Sequence, residues 1–196
     1  MNHGMLPRLI VPVAAALALQ SAAATCWQGD ASGGELAFSG EIEGEAFFGT
    51  FGEFDVEVCQ QQEGSWEDSD WVVRVATGSA DTRNRDRDET LHGGEFFAVD
   101  RFPEAVWRST NVVNNSTSET TPEGVDLLLE GNLELRSNSA PQEVKARLEP
   151  RQDGLLLTGS ADISRMRFDV GQGEFSDTEF IRDRVDLEFE IQLAPK

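Results

Sequence analysis

The clearest indication of the fold lies in residues 125–135, which read VDLLLEGNLEL. Every second residue from Val125 to Leu135 is apolar or glycine, and the residues between them are mostly acidic or polar. This alternation predicts a β-strand with one face buried and the other in water. Such a strand needs neighbours that bury their own apolar faces against it.

Seven further stretches show the same alternation. They are residues 36–42, 54–58, 71–75, 104–113 around Trp107, 144–148, 155–163 and 185–193, with a glycine-rich bulge expected at 49–52. Eight antiparallel strands of this kind bury their apolar faces together in a closed up-and-down barrel, which also removes the sheet edges. We therefore predict an all-β, eight-stranded antiparallel barrel, with a sandwich as the structural alternative.

Residues 80–103, ADTRNRDRDETLHGGEFFAVDRFP, break the alternation. A dense run of charges is followed by apolar residues, a pattern that predicts one short helix lying over a barrel end. Asp86 or Asp88 is expected to cap that helix.

Residues 1–24 have the three parts of a secretory signal peptide. Arg8 lies near the start, an apolar run covers 9–19, and small residues continue up to Ala24. We expect cleavage before Thr25, which leaves residues 25–196 as one barrel domain in the periplasm or outside the cell.

Export exposes the two cysteines of this domain, Cys26 and Cys59, to an oxidising compartment. An even count in such a compartment favours one disulfide, and both side chains face outward on neighbouring strands if Trp27 and Val58 face inward. A lipid anchor on Cys26 is the alternative.

The composition excludes several functions. The chain carries 16 Lys and Arg against 36 Asp and Glu, a formal net charge of −20, which argues against binding nucleic acid. His92 is the one histidine after the signal peptide, so no metal site is expected. The acids are spread along outward strand positions and no serine lies in an elbow-like glycine motif, so no catalytic residues are expected.

Residues 82–110 resemble the signature of the YceI-like family of exported lipid-binding proteins. The matching positions are Arg87-Asp88, Leu91, Phe96-Phe97, Phe102-Pro103, Trp107 and Ser109-Thr110. Gly131-Asn132-Leu133 and residues 165–171 fit further family motifs. The resemblance implies a lipocalin-like barrel that holds a polyisoprenoid, such as a quinone tail, or another alkyl chain.

With this resemblance we expect an apolar wall and lid, and no cofactor other than the bound lipid. The candidate residues are Phe38, Phe51, Phe54, Trp71, Leu91, Phe96, Phe97, Trp107 and Phe168. Arg87 and Arg165 are candidates for contacting a polar head group. Their alternative role is an internal salt bridge to acids such as Asp86 or Asp88.

The predicted function is therefore non-enzymatic binding and transport of an isoprenoid lipid or quinone. The arginines and apolar residues of 80–103 make that end the expected mouth, where a membrane or donor protein makes transient contact. Alternatives are a stress-related binder of fatty acids or amides, a small hydrolase or isomerase, and a structural protein with a solid barrel. A homodimer is left open.

Overall fold

The computed structural model describes residues 24–62, 64–115 and 124–196. Within these ranges the chain forms one α-helix, α1 (Arg85–His92), three short 3-10 helices (Thr77–Ser79, Arg165–Phe168 and Gly173–Phe175) and eleven β-strands. The strands are β1 (Thr25–Asp30), β2 (Gly34–Ile42), β3 (Glu45–Phe51), β4 (Phe54–Gln62), β5 (Ser65–Ala76), β6 (Ala80–Asp81), β7 (Glu104–Asn114), β8 (Val125–Leu135), β9 (Asn138–Arg151), β10 (Gly154–Ser164) and β11 (Arg184–Pro195).

The strands close into an eight-stranded antiparallel barrel, as predicted. β1 and β2 act as two halves of one bent strand, because both pair with β11. β3 and β4 form the next bent strand, pairing with β2 and β1 respectively. β5, β7, β8, β9 and β10 then follow in order and lead back to β11, while the short β6 pairs with β3.

Both bends lie at short breaks that the sequence explains. Between β1 and β2, the Asp30 carboxylate accepts hydrogen bonds from the backbone N–H and the hydroxyl of Ser32, which fixes a tight turn. Between β3 and β4, Gly52 and Glu53 interrupt the strand. The bulge predicted at 49–52 is wrong for residues 49–51, which are paired within β3 without a shift of register. The bends let two long strands cover both halves of the barrel.

Apolar side chains alternate into the barrel along each strand. Leu127 and Leu129 of β8 are 2% and 3% exposed, and Val58 of β4 is inaccessible. Two inward glycines make room for large rings. A Cβ on Gly131 would lie 2.4 Å from the Trp107 ring, and one on Gly49 would lie 2.4 Å from the Phe38 ring. These glycines therefore set where the two aromatic rings lie.

α1 is the helix predicted within residues 80–103, but the predicted cap is wrong. The side chain of Asn84 accepts a hydrogen bond from the backbone N–H of Arg87, so Asn84 is the N-cap. Asp88 instead accepts from the backbone N–H and the hydroxyl of Thr82. This contact ties the helix to the end of β6, and Asp86 lies exposed in the first turn.

The predicted disulfide is confirmed. Cys26 on β1 lies directly opposite Cys59 on β4, with their Cα atoms 4.1 Å apart and the two sulfur atoms bonded. The expected signal peptide lies outside the described residues, apart from Ala24. Among the described residues, no helix is long and apolar enough to cross a membrane.

Candidate ligand-binding cavity

The barrel encloses two adjoining apolar cavities. One, of about 110 Å³, lies toward the disulfide and is called the disulfide-side cavity. The other, of about 150 Å³, lies under α1 and is called the helix-side cavity. Six residues line both: Leu36, Val75, Ala105, Leu133, Ile163 and Leu187. The two spaces are therefore separated by shared side chains and not by a layer of backbone.

The polar atoms of both tryptophans in the disulfide-side cavity are occupied. Trp71 donates its Nε1–H to the hydroxyl of Ser69 at 2.8 Å. Trp107 donates its Nε1–H to the backbone carbonyl of Gln142 at 3.0 Å. Because the indole N–H groups are satisfied in this way, the rings present apolar surface to the cavity.

Most of the residues expected to form the wall and lid border these cavities. Phe54, Trp71 and Trp107 line the disulfide-side cavity. Phe38, Phe51, Leu91, Phe96, Phe97 and Arg165 line the helix-side cavity. Phe168 is fully buried but borders neither cavity, so the structure places it in the packed core.

Arg165 is buried, with 4% of its surface exposed, and holds the loop that covers the helix end of the barrel. Its guanidinium donates to four backbone carbonyls, those of Val170, Gly171, Ile181 and Arg182, at 2.7–3.1 Å. Burial lowers the pKa of this guanidinium, and the nearby Asp183 opposes that shift. The geometry assigns Arg165 to holding this loop in place.

Arg87 lies outside both cavities. It donates to the hydroxyl and the carbonyl of Thr82 at 2.8 and 3.2 Å, and its guanidinium lies 5.0 Å from the centre of the Phe47 ring. These contacts attach α1 to the barrel. Among the described residues, neither Arg87 nor Arg165 forms the salt bridge to Asp86 or Asp88 that was the alternative.

A second arginine at the helix end was missed by the sequence reasoning. Arg136, between β8 and β9, donates to the carbonyls of Gly94, Glu95 and Asp169. Burial lowers the pKa of this guanidinium as well. The partners lie 33–42 residues away along the chain, so no local motif could reveal them.

The residues that line both cavities were also absent from the expected wall. Every one of them lies at an inward position of an alternating strand, so the alternation itself was sufficient to find them. Gln142 is different, because it is a polar residue at an inward position of β9 and lines the disulfide-side cavity. Because Gln142 continues the alternation of Val144 and Ala146, the sequence did indicate that its side chain faces inward.

Fold and cavities together define a closed antiparallel barrel with an internal apolar space. Comparison with known proteins gives the family: the YceI-like domain matches residues 27–193, and the chain belongs to the YceI-like family. BcnA of Burkholderia cenocepacia has the same fold, with a TM-score of 0.75 at 17% identity, over 85% of this chain and 99% of that one. A polyisoprenoid binding domain from Saccharophagus degradans aligns at a TM-score of 0.66 and 11% identity, over 89% of this chain and 100% of that one.

Two curated relatives match over shorter segments. A UPF0312 protein of Enterobacter sp. (strain 638) is 33% identical over 101 residues, 52% of this chain and 48% of the relative. Protein YceI of Salmonella arizonae is 32% identical over 106 residues, 54% of this chain and 51% of the relative. The chain thus spans about half the length of the curated relatives that it matches.

Proposed function

We propose that this protein binds a polyisoprenoid lipid, such as the tail of a quinone, and sequesters or carries it without catalysing a reaction. The observation that carries the proposal is the pair of adjoining cavities with almost wholly apolar walls. An isoprenoid tail offers apolar surface, and burying it contributes about 25 cal/mol per Å². Such a tail needs no polar partner along its length.

The size of the cavities indicates how a tail would lie. Each is close to the roughly 150 Å³ of an apolar cavity that stays dry and accepts one benzene molecule. A tail of several prenyl units therefore has to run through both cavities, past the shared side chains of Leu36, Val75 and Leu133. Small movements of these three side chains would join the two spaces.

Two further observations support the proposal. The Saccharophagus degradans protein with the same fold is a polyisoprenoid binding domain. The disulfide between Cys26 and Cys59 is of a kind that persists in oxidising compartments, which supports export to the periplasm after removal of residues 1–24.

The test is native mass spectrometry of the purified protein, followed by organic extraction of any bound lipid and by loading with geranylgeraniol. We expect a bound lipid that extraction removes and geranylgeraniol replaces. Ala105→Leu adds volume where the two cavities meet and should reduce the amount of bound lipid severalfold. Ala37→Leu is the matched control, because Ala37 lies between two inward residues of β2 and borders neither cavity.

A protein that carries no lipid and takes up no geranylgeraniol would contradict the proposal and favour a solid structural barrel. Equal lipid content in the Ala105→Leu and Ala37→Leu variants would place the ligand elsewhere.

A further inference from the structure

The barrel wall contains a seam between two of its strands. β9 and β10 are paired from Gly154–Arg151 up to Ser160–Lys145, where the pairing stops. Beyond that point residues 138–144 of β9 pair with β8, and residues 161–164 of β10 pair with β11. The four unpaired residues of β10 span about 13 Å at the usual rise per residue. Along this length no backbone ladder joins β9 to β10.

Side chains replace the missing ladder at this seam. The Nε2 amide of Gln142 donates to the carbonyl of Asp162 across the seam and to the carbonyl of Glu143, both at 2.9 Å. The backbone carbonyl of Gln142 accepts a hydrogen bond from the Nε1–H of Trp107. Pro141 precedes Gln142 in β9 and has no N–H to offer to a ladder. The amide of Gln142 therefore joins β9 to β10 itself, and Arg167, just beyond the end of β10, adds a hydrogen bond to the carbonyl of Pro141 at 3.4 Å.

The seam separates the disulfide-side cavity from a groove on the outer surface. The groove has a volume of about 700 Å³, and three of its lining residues also line the cavity: Gln142, Ala161 and Ile163. A second gap, between residues 65–70 of β5 and 110–114 of β7, also borders a groove. That groove shares no lining residue with either cavity. An unpaired strand edge thus meets the apolar space at the β9–β10 seam.

The groove outside the seam is polar. Its ionisable residues are Glu143, Lys145, Asp162, Arg167, Asp183 and Arg184. Arg184 forms ion pairs with Asp162 and Asp186, and Asp183 accepts from Ser164 and Met166. Lys145 and Arg167 form no ion pair with any described residue, and Arg167 donates one N–H of its guanidinium to the backbone carbonyl of Pro141 at 3.4 Å. The ammonium of Lys145 and the other N–H groups of Arg167 are available to the oxygen atoms of a ligand. A lipid with an apolar tail and an oxygen-bearing head fits this combination of cavity and groove.

We propose that the β9–β10 seam is the opening through which a prenyl lipid enters and leaves the barrel. Gln142 is called its latch, because the hydrogen bond from its side chain to Asp162 keeps the opening closed. The outer groove holds the oxygen-bearing head group. This inference rests on the proposed function. This opening differs from the mouth expected at residues 80–103. Leu91 and Phe96 of that segment are buried and are therefore not exposed to a membrane or a donor protein.

The test is to lock the seam. Glu143 and Asp162 would face each other if the ladder continued, so Glu143→Cys with Asp162→Cys allows a short bis-maleimide to join the strands while the native disulfide stays intact. The protein is first loaded with geranylgeraniol, and its exchange for deuterated geranylgeraniol is followed by native mass spectrometry before and after cross-linking. We expect cross-linking to slow exchange by at least about tenfold, because opening of a gate can limit the release of a bound ligand.

The matched control joins two strands that are already paired. Thr158 of β10 faces Glu190 of β11, neither residue lines the groove or the cavities, and Thr158→Cys with Glu190→Cys accepts the same reagent. Cross-linking this pair should leave exchange unchanged. Unchanged exchange in the locked seam variant would overturn the opening and favour the route at 80–103. Failure of the unmodified protein to bind geranylgeraniol would instead overturn the proposed function and the opening together.

A second variant tests the latch itself. Gln142→Met keeps the length of the side chain but removes its hydrogen bond to Asp162, which should speed exchange about fivefold. Gln192→Met, on the exposed face of β11, is the control and should leave exchange unchanged. Equal exchange rates in these two variants would overturn the role of Gln142.

Discussion

The two ends of the barrel are closed in different ways. At the disulfide end, β1 and β4 stay paired up to Thr25 and Gln60, and the disulfide joins the same two strands. The rings of Trp27 and Trp66 contact each other there in a tilted arrangement, with their centres 5.4 Å apart. At the helix end the cover is α1 and the loop of residues 165–183, which are largely outside the sheet. One end has a backbone ladder and a covalent bond. The cover at the other end is held by isolated backbone hydrogen bonds, such as those from Glu43 to Phe180 and from Arg182 to Glu41, and by side chains.

The side chains at the helix end are few. Arg165 and Arg136 hold the covering segments through seven backbone carbonyls, and Asp88 ties α1 to Thr82. The larger cavity lies directly beneath this cover. We infer that changes at the disulfide end reduce global stability, whereas changes at the helix end also alter ligand retention.

The largest effect is expected from removing the disulfide. Cys26→Ser with Cys59→Ser frees a loop with a sequence separation of 33 residues, which costs about 4 kcal/mol of unfolding free energy by the chain-entropy estimate. Urea unfolding measures the loss. Lipid content at low temperature, where the variant stays folded, should not change. Free-thiol labelling of the exported, denatured wild-type protein is the control, and two labelled cysteines would contradict the pairing.

Arg165→Met is expected to have the next largest effect. It leaves four buried carbonyls without their donor, which should cost roughly 3 kcal/mol, and it removes a wall residue of the helix-side cavity. Both the free energy of unfolding, measured in urea, and the lipid content should therefore fall. Arg85→Met is the control, because the exposed pair of Arg85 with Glu89 is worth less than about 0.5 kcal/mol. A similar loss in both variants would mean that Arg165 does not hold the cover.

A change of volume in the cavity wall should have a smaller effect on stability. Phe97 is half-buried and lies 6.3 Å from the Phe51 ring, measured between ring centres. Phe97→Leu keeps an apolar wall and should cost about 1 kcal/mol, yet it should change the amount or the identity of the retained lipid. Extraction followed by mass spectrometry measures this. Reduced stability with unchanged lipid would show that Phe97 is only a core residue.

The difference between the ends also explains what the sequence could predict. Strands such as β8 were predictable because burial of one face repeats at every second residue, and the alternation of 125–135 coincides with the observed strand. The cysteine pairing followed from export and parity. The alternation is a local pattern and the number of cysteines can be counted, so both can be obtained from the sequence. The disulfide end of the barrel is built from these two features.

The helix end depends on contacts that no local pattern contains. The path of a loop places the carbonyl partners of Arg165. The sequence shows that Arg165 is a charged donor, which suggested contact with a head group, but it does not show these backbone partners. Asn84 rather than Asp86 is the cap because the helix begins at Arg85, two residues earlier than a cap at Asp86 would place it. The seam at Gln142 depends on where two strands part, which follows from the curvature of the whole barrel.

The smallest expected effect compares two carboxylates with similar hydrogen bonds, Asp88 at the helix end and Asp30 at the break between β1 and β2. Asp88 accepts from the N–H and hydroxyl of Thr82, and Asp30 accepts from the same two groups of Ser32. Burial raises the pKa of Asp88, but the hydrogen bonds from Thr82 and the charge of Arg87 outweigh it, so this pKa lies below its ordinary value. Hydrogen bonds from Ser32 lower the pKa of Asp30 in the same way.

A carboxylate with a lowered pKa in the folded state contributes stability above its unfolded pKa of about 4, and this contribution is lost as the pH falls through the folded value. Asp88→Asn should therefore lower the thermal midpoint at pH 6 by at most about 2 °C. Between pH 6 and pH 3 the thermal midpoint of this variant should fall less than that of the wild type. The exchange of loaded geranylgeraniol at pH 6 should also change, because Asp88 attaches the cover of the larger cavity. Asp30→Asn should give a similar thermal shift but leave exchange unchanged, since the β1–β2 turn borders neither cavity. Equal exchange in both variants would mean that the cover at the helix end plays no part in retaining the lipid.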